Sequence, residues 1–208
     1  MPAVSPIAAP SPDDPLAESR ELERDVVSGG VRCHVRPIRP DDAAGLVAFH
    51  AHLSPQSVYL RFFTYHPTLS EAEVVRFTQV DFENRVALVV TAGDELIAVG
   101  RFDRAPASTE AEVAFVVADE YQHHGLGSLL LDELAQAARQ RGIVWFTADT
   151  LAENHTMLDV FRHAGYHVTS SIEYGTVRLR FPLAVTDASR AAVAAREETR
   201  RITPDGGP

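Results

Sequence analysis

The 208-residue sequence has no lysine: all 19 basic side chains are arginine, against 29 acidic ones, for a formal charge of −10. That absence excludes a Schiff-base lysine and the lysine of a nucleotide-binding P-loop. A coding bias toward Ala, Arg, Pro and Gly would produce it too. The shortage of positive charge argues against nucleic acid or an anionic membrane as partner. A single cysteine, Cys33, excludes an intramolecular disulfide and a multi-cysteine metal site, and fits a reducing cytoplasm. No run approaches the roughly 18 apolar residues of a membrane span. The opening MPAVSPIAAPSPDDP has no basic segment before an apolar core, so it does not read as a secretory signal. His50, His52, His66, His155, His163 and His167 have no carboxylate or cysteine at metal-ligand spacing, so no metal is expected.

What is present fits one globular domain with flexible ends: 45% of the residues are apolar. Residues 1–29, rich in Pro, Ala, Ser and acids, read as a flexible tail with a short helix around Leu16–Val26. Residues 30–184 read as the domain, and 185–208 as a helix followed by a Pro/Gly stop. Within the domain, Val31–Ile38 alternates as a strand, and Pro40-Asp41-Asp42 leads a helix in AAGLVAFHAHL. Ser54-Pro55 is an N-cap with proline at the first helical position, and Ser70–Glu73 is a capping box. Val86–Thr91 and Leu96–Asp103 form a hairpin about Gly93-Asp94, and Glu110–Val117 is a further strand. A long helix over Gly125–Arg141 places Leu126, Leu129, Leu130, Leu134 and Ala137 on one face. Val144–Leu151 is a strand, Asn154–Ala164 a helix, and His167–Ser171 with Thr176–Phe181 a last strand pair. The expected class is α/β in the α+β sense, a mixed, mostly antiparallel sheet flanked by helices.

The most informative stretch is AEVAFVVADEYQHHGLGSLLLDEL, residues 111–134. A strand, a short glycine loop and a helix make an anion site, because the free N–H groups of the first helical turn and the helix dipole both favour negative charge. Gly125 and Gly127 allow close backbone approach. Read alone, the glycine pair is equally a tight strand-to-helix turn. Gln122-His123-His124-Gly125-Leu126-Gly127 resembles the Q/R-x-x-G-x-G/A signature of the GNAT acetyltransferase superfamily. Asn154 through Gly165-Tyr166 resembles that family's second signature. Leu53–Phe63 (LSPQSVYLRFF) and Ala111–Phe115 further resemble the Pat-type bacterial protein lysine acetyltransferases. The likeness runs from about Val31 to Leu183 and covers only a catalytic domain, so no regulatory ligand carries over.

The resemblance implies a GNAT fold and an acetyl-CoA site. The pyrophosphate would lie on the backbone of Gln122, His123, His124, Gly125, Leu126, Gly127 and Ser128. The pantetheine would pair with Phe115, Val116 and Val117, and Asn154 would hydrogen-bond the pantetheine arm. A backbone N–H near Val117 would hold the oxyanion. Glu112 would be the general base. A lysine amine with a pKa near 10.4 is neutral in only about one molecule in 2,500 at pH 7, so a base is needed. Strand alternation places Glu110, Glu112, Ala114 and Val116 on one face, where apolar neighbours would raise the Glu112 pKa. A solvated strand-face acid is the plainer reading of the same residue. Where family members carry a general-acid tyrosine, this sequence has Phe161; Tyr166 and Tyr121 are the available substitutes, and each also reads as structural.

Other residues carry two readings. His123 and His124 are either cations against pyrophosphate or tolerated variable positions. Cys33 is an acyl-carrying nucleophile or, more simply, a small buried strand residue. Arg61, with Tyr59, Phe62 and Phe63, shapes an acceptor cleft or packs a helix. The expected function is therefore transfer of acetyl from acetyl-CoA to an amine, foremost a protein lysine ε-amine. The rival acceptors are small amines (a polyamine, amino acid or aminoglycoside), and the rival class is a non-catalytic acyl-CoA sensor.

Overall fold

The structure, a computed structural model, describes residues 22–201. Its centre is an eight-stranded sheet: β1 (Arg24–Ser28), β2 (Val31–Pro37), β3 (Arg85–Ala92), β4 (Glu95–Arg104), β5 (Glu110–Val117), β6 (Trp145–Leu151), β7 (Thr169–Glu173) and β8 (Thr176–Pro182). The strands lie in the order β1-β2-β3-β4-β5-β6-β8-β7, and every neighbouring pair is antiparallel except β5 and β6. Helices α1 (Ala43–His52), α2 (Pro55–Phe62) and α3 (Glu71–Thr78) lie between β2 and β3 in sequence. Helix α4 (Leu126–Gln140) joins β5 to β6, α5 (His155–Arg162) follows β6, and α6 (Asp187–Arg201) closes the described chain. The mixed, mostly antiparallel sheet agrees with the class expected from sequence.

Two apolar cores fix the layers. Val86, Leu88 and Val90 of β3 join Phe102, Val113, Phe115, Phe146 and Phe181 under α4 and α5. Ala87 and Val89, on the opposite face of β3, join Leu46, Phe49 and Val58 under α1 and α2. Burial on both faces explains why β3 reads as the unbroken run VALVV. Leu126, Leu129, Leu130, Leu131 and Leu134 of α4 are all 1% exposed or less, each contributing about 1.5–3 kcal/mol relative to an exposed position. Gly100 in β4 makes room for them, since a Cβ there would stand 3.1 Å from Leu134 Cδ1. The serine caps form as read, whereas Asp42, ahead of α1, makes no side-chain cap and accepts from Arg36 and from Arg39 N–H instead. Ser54 Oγ accepts from Ser57 N–H, Ser70 Oγ from Glu73 N–H, and Ser70 N–H donates back to Glu73 Oε2.

The N-terminal expectation needs correction. Residues 24–28, assigned to a tail and partly to a helix, are the edge strand β1, paired with β2 from Arg24↔Val35 to Ser28↔Val31. Gly29 and Gly30, at the expected boundary between tail and domain, are the two central residues of a hairpin, with φ of +56° and +83°. Two successive positive φ values match the twist of the flanking strands and favour glycine. Leu22 is buried beside this hairpin. The earlier part of the proposed tail helix and the Pro/Gly segment after α6 lie outside the described residues. The C-terminal helix forms as expected, and Arg196 ties it to α4 through two bonds to Asp132 of 2.7 and 3.1 Å.

Candidate active site

The feature that builds a site is a parting of strands. β5 and β6 pair only over Glu110↔Trp145, Ala111↔Phe146 and Glu112↔Thr147. Beyond Glu112, β5 stays paired with β4 up to Ala98↔Val117, and β6 stays paired with β8 up to Leu151↔Thr176. The sheet therefore opens as a V between them. Ala118 N–H bonds Ile97 O across β4, so alternation turns the N–H and C=O groups of Val117 and Phe115 toward the gap. A cavity of about 350 Å³ continues the opening between the end of β5, the 122–128 loop, α2 and α5.

The loop at its floor has the geometry of an anion cradle. Gly125 takes φ of +77° and, lacking a side chain, leaves the first turn of α4 without a side-chain cap. The N–H groups of Leu126, Gly127 and Ser128 precede the first intrahelical acceptor, since Gly125 O is taken by Leu129 N–H at 3.0 Å. Gly127 must be small: a Cβ there would stand 3.3 Å from the Phe115 ring and 3.4 Å from Val160. The β1–β2 hairpin braces the loop from behind. Ser28 Oγ donates to His124 O at 2.7 Å.

Gln122 and Asp119 tie the loop to α2. Gln122 Nε2 donates to Ser57 Oγ at 3.1 Å and to Val117 O at 3.3 Å. Asp119 accepts from Ser54 N–H, Ser54 Oγ and Ser57 Oγ at 2.9, 2.6 and 2.7 Å. Burial would raise the Asp119 pKa, but these bonds outweigh it and hold the carboxyl below its usual range. The sequence reading missed this knot. Its signal was the spacing of Ser54, read only as a cap, and Ser57.

The residues named from sequence separate by position. Phe115, Val116, Val117, Gln122, His123, Gly125, Leu126, Gly127 and Ser128 all line the cavity. His124 does not; its ring turns back, Nδ1 2.8 Å from Gln122 O. Asn154, expected against the cofactor arm, also stays off the cavity wall. It is the N-cap of α5, its Oδ1 accepting from Met157 N–H at 3.1 Å, because a short polar side chain before a helix satisfies an orphan N–H. The α5 side of the cavity is instead Thr156, Met157, Asp159, Val160 and His163.

Glu112 stands at the vertex of the V, in the last β5–β6 pair. The registers place Glu110, Glu112, Ala114 and Val116 on one face with Asp103, Thr147 and Asp149. The apolar surround expected for Glu112 is not there. Its side chain is exposed, and its cross-strand partners are Asp103 and Thr147, on an open polar face where Arg178 pairs with Asp149 and Arg180 with Glu110. The other face of the vertex carries Phe161, 2% exposed, its ring centroid 5.7 Å from Phe115 and 5.6 Å from Phe181. Tyr166 is structural, stacked on Phe181 while Arg139 donates to its hydroxyl. Cys33 is buried in β2, and burial, aided by Asp25 against Arg200, pushes its thiol up to about 11, so it is no ready nucleophile.

Arg61 of α2 lines this cavity, the narrow gap between the strands and an apolar pocket beneath α1. Burial, with Arg101 acting in the same sense against Glu112 and Asp103, lowers its pKa to about 10. Among the described residues no cluster of three or more His, Cys, Asp or Glu is placed to hold a metal ion, and no helix is long and apolar enough to cross a membrane.

Comparison with known proteins gives this geometry a family. Residues 52–166 match the model of the Acetyltransferase (GNAT) family. The chain is 32% identical over 136 residues to Acetyltransferase Pat of Mycolicibacterium smegmatis, covering 64% of this chain and 40% of that one. It is 25% identical to Acetyltransferase PA5475 of Pseudomonas aeruginosa over 64% of this chain and 73% of that one. The chain thus spans under half the length of the mycobacterial relative. Among solved structures, the GNAT domain of S. lividans PAT superposes with a TM-score of 0.73 at 46% identity, over 78% of this chain and 97% of that one. YncA from Salmonella typhimurium, solved with acetyl-CoA, shares the fold at 16% identity and a TM-score of 0.61, over 74% of this chain and 96% of that one. A match over more than half the chain, on a sheet that parts beside a glycine-capped helix, places this protein in the GNAT family of acetyltransferases.

Proposed function

We propose that this protein transfers acetyl from acetyl-CoA to an amine, with protein lysine ε-amines as the preferred acceptor. The observation that carries the reading is the parting of β5 and β6 directly above the uncapped N-terminus of α4. It offers an anion cradle and a free strand edge in line. The pyrophosphate would sit on the N–H groups of Gly125–Ser128, and the pantetheine would run along Phe115–Val117 as an added strand. The Val117 N–H, turned toward the gap, is the candidate oxyanion donor.

Glu112 is the proposed base. It takes the proton of an amine arriving over the open polar face, directly or through a water. The neutral nitrogen then attacks the thioester carbon. Glu112 is exposed on that face rather than enclosed, which suits a side chain presented by a protein better than a small free amine. The Pat-like segments Leu53–Phe63 and Ala111–Phe115, and the 46% identity to the S. lividans PAT domain, point the same way. The catalytic unit we propose starts at β1, since the β1–β2 hairpin braces the phosphate loop.

Incubation with acetyl-CoA and a cell lysate, followed by detection of acetyl-lysine, tests the assignment. Signal with the parent and loss of about a hundredfold or more in rate with Glu112→Gln is expected. Thiol release only with small amines would overturn the protein acceptor. Tight acetyl-CoA binding without turnover for any acceptor would overturn the enzyme.

A further inference from the structure

The same site leaves one chemical role without an occupant and one buried hydroxyl without a partner. When the thioester C–S bond breaks, the electron pair goes to sulfur, and a donor near that sulfur stabilises the thiolate. Phe161 occupies the place where a tyrosine would serve, and its ring has no donor. Tyr166 is engaged with Arg139 and Phe181.

Thr150 lies on β6, lining the narrow gap with Phe115, Met157 and Phe161. It is 2% exposed, and its Oγ1 has no hydrogen-bond partner. A buried hydroxyl left unpaired is destabilising, and valine would fill nearly the same shape without that penalty. Alternation along β6 puts Thr147 and Asp149 on the Glu112 face, and Ala148 and Thr150 on the α5 face. Three residues past the Glu112↔Thr147 pair, Thr150 therefore flanks the gap from the side opposite the base.

We propose that the Thr150 hydroxyl is the hydrogen-bond donor to the departing coenzyme A sulfur, a role that rests on the acyl-CoA reading above. Glu112 or its water takes one proton from the incoming ammonium and passes it to solvent, the N–C bond forms as the neutral amine attacks, and the second nitrogen proton leaves by the same route. The tetrahedral intermediate then collapses with cleavage of C–S. Sulfur leaves as the thiolate, accepting a hydrogen bond from Thr150 Oγ1, which keeps its own proton. The thiolate is protonated by solvent on release. A thiol with a pKa near 8–9 needs no more than that.

The deciding measurement, of binding, needs no acceptor. A donor to the thiolate lowers the pKa of the bound thiol, so coenzyme A affinity must rise with pH more steeply than acetyl-CoA affinity, which has no thiol to ionise. The ratio of the two affinities is measured calorimetrically from pH 7 to 9.5 for the parent, Thr150→Val and Thr150→Ser. The expected result is a ratio that rises about tenfold in the parent and in Thr150→Ser and stays flat in Thr150→Val. Turnover by Thr150→Val should fall roughly tenfold in kcat with KM changed less than twofold, and its melting temperature should not drop. Parallel profiles for the parent and Thr150→Val, with both ligands bound, would overturn the Thr150 role alone. No binding of either ligand by the parent would overturn the acyl-CoA reading, and this role with it.

Discussion

Gly29 and Gly30 offer a paired perturbation that separates backbone strain from support of the site. Both have positive φ, +56° and +83°, so alanine at either costs about 1–2 kcal/mol for the left-handed backbone alone. Their surroundings differ. A Cβ on Gly30 meets nothing within 4 Å, whereas one on Gly29 stands 2.6 Å from His124 Cα and 2.9 Å from His124 O. Those are backbone atoms of the 122–128 loop, so either the hairpin or the loop must move. Moving the hairpin breaks the bond from Ser28 Oγ to His124 O, worth about 1 kcal/mol. Moving the loop misplaces the N–H groups of Gly125–Ser128. Gly30→Ala should therefore lose about 1–2 kcal/mol in urea unfolding with acetyl-CoA affinity unchanged within twofold. Gly29→Ala should lose at least about 1 kcal/mol more and bind acetyl-CoA at least about tenfold more weakly, equivalent to 1.4 kcal/mol. Equal stabilities, or equal affinities, for the two variants would refute the idea that this hairpin braces the loop.

Further expectations follow from particular contacts. Asp119→Asn should cost on the order of 1 kcal/mol at pH 7, discounted for an exposed group. The native carboxyl titrates below its unfolded value near 3.9, so its stabilisation is present above that pH and disappears as pH falls through the lower native value. Parent and variant unfolding curves should therefore converge in strong acid. Asp132→Ala leaves Arg196 and Arg200 without their carboxylate in a largely buried setting. It should cost about 3 kcal/mol or more by urea unfolding, and a loss under 1 kcal/mol would contradict the docking of α6 through that residue. Long incubation of this lysine-free chain with acetyl-CoA should yield no lysine adduct by intact mass, leaving the N-terminus and Cys33 as the nucleophiles to exclude.

Much of the fold was legible because its signals are local. The Ser54 and Ser70 caps, the glycine turn at Gly93 and the leucine face of α4 each act within one helix or hairpin, and each formed where read. β1 was missed because RDVVS carries charge at an edge and a glycine pair resembles a linker; only pairing with β2 makes it a strand. In the site, the glycine loop stood out through its resemblance to the GNAT signature, since the glycine pair alone reads equally as a turn. The side-chain contacts of Asn154 and His124 were not legible. A side chain beside a helix start can bond the ligand or the backbone, and here both bond backbone atoms.

The sequence by itself determined the elements from β2 onward, the Ser54 and Ser70 caps, the glycine loop ahead of α4 and the absence of any lysine to serve as reagent or target. Tertiary structure decided where the sheet parts. β5 and β6 belong to different pairings beyond Glu112, and strand divergence depends on neighbours far apart in the chain. It also decided the setting of Glu112, exposed among charged partners rather than among apolar ones. And it decided that Thr150, an ordinary strand threonine in the sequence, buries a hydroxyl without a partner in the gap. Periodicity specifies which face a side chain takes; only the packed molecule specifies what meets it there.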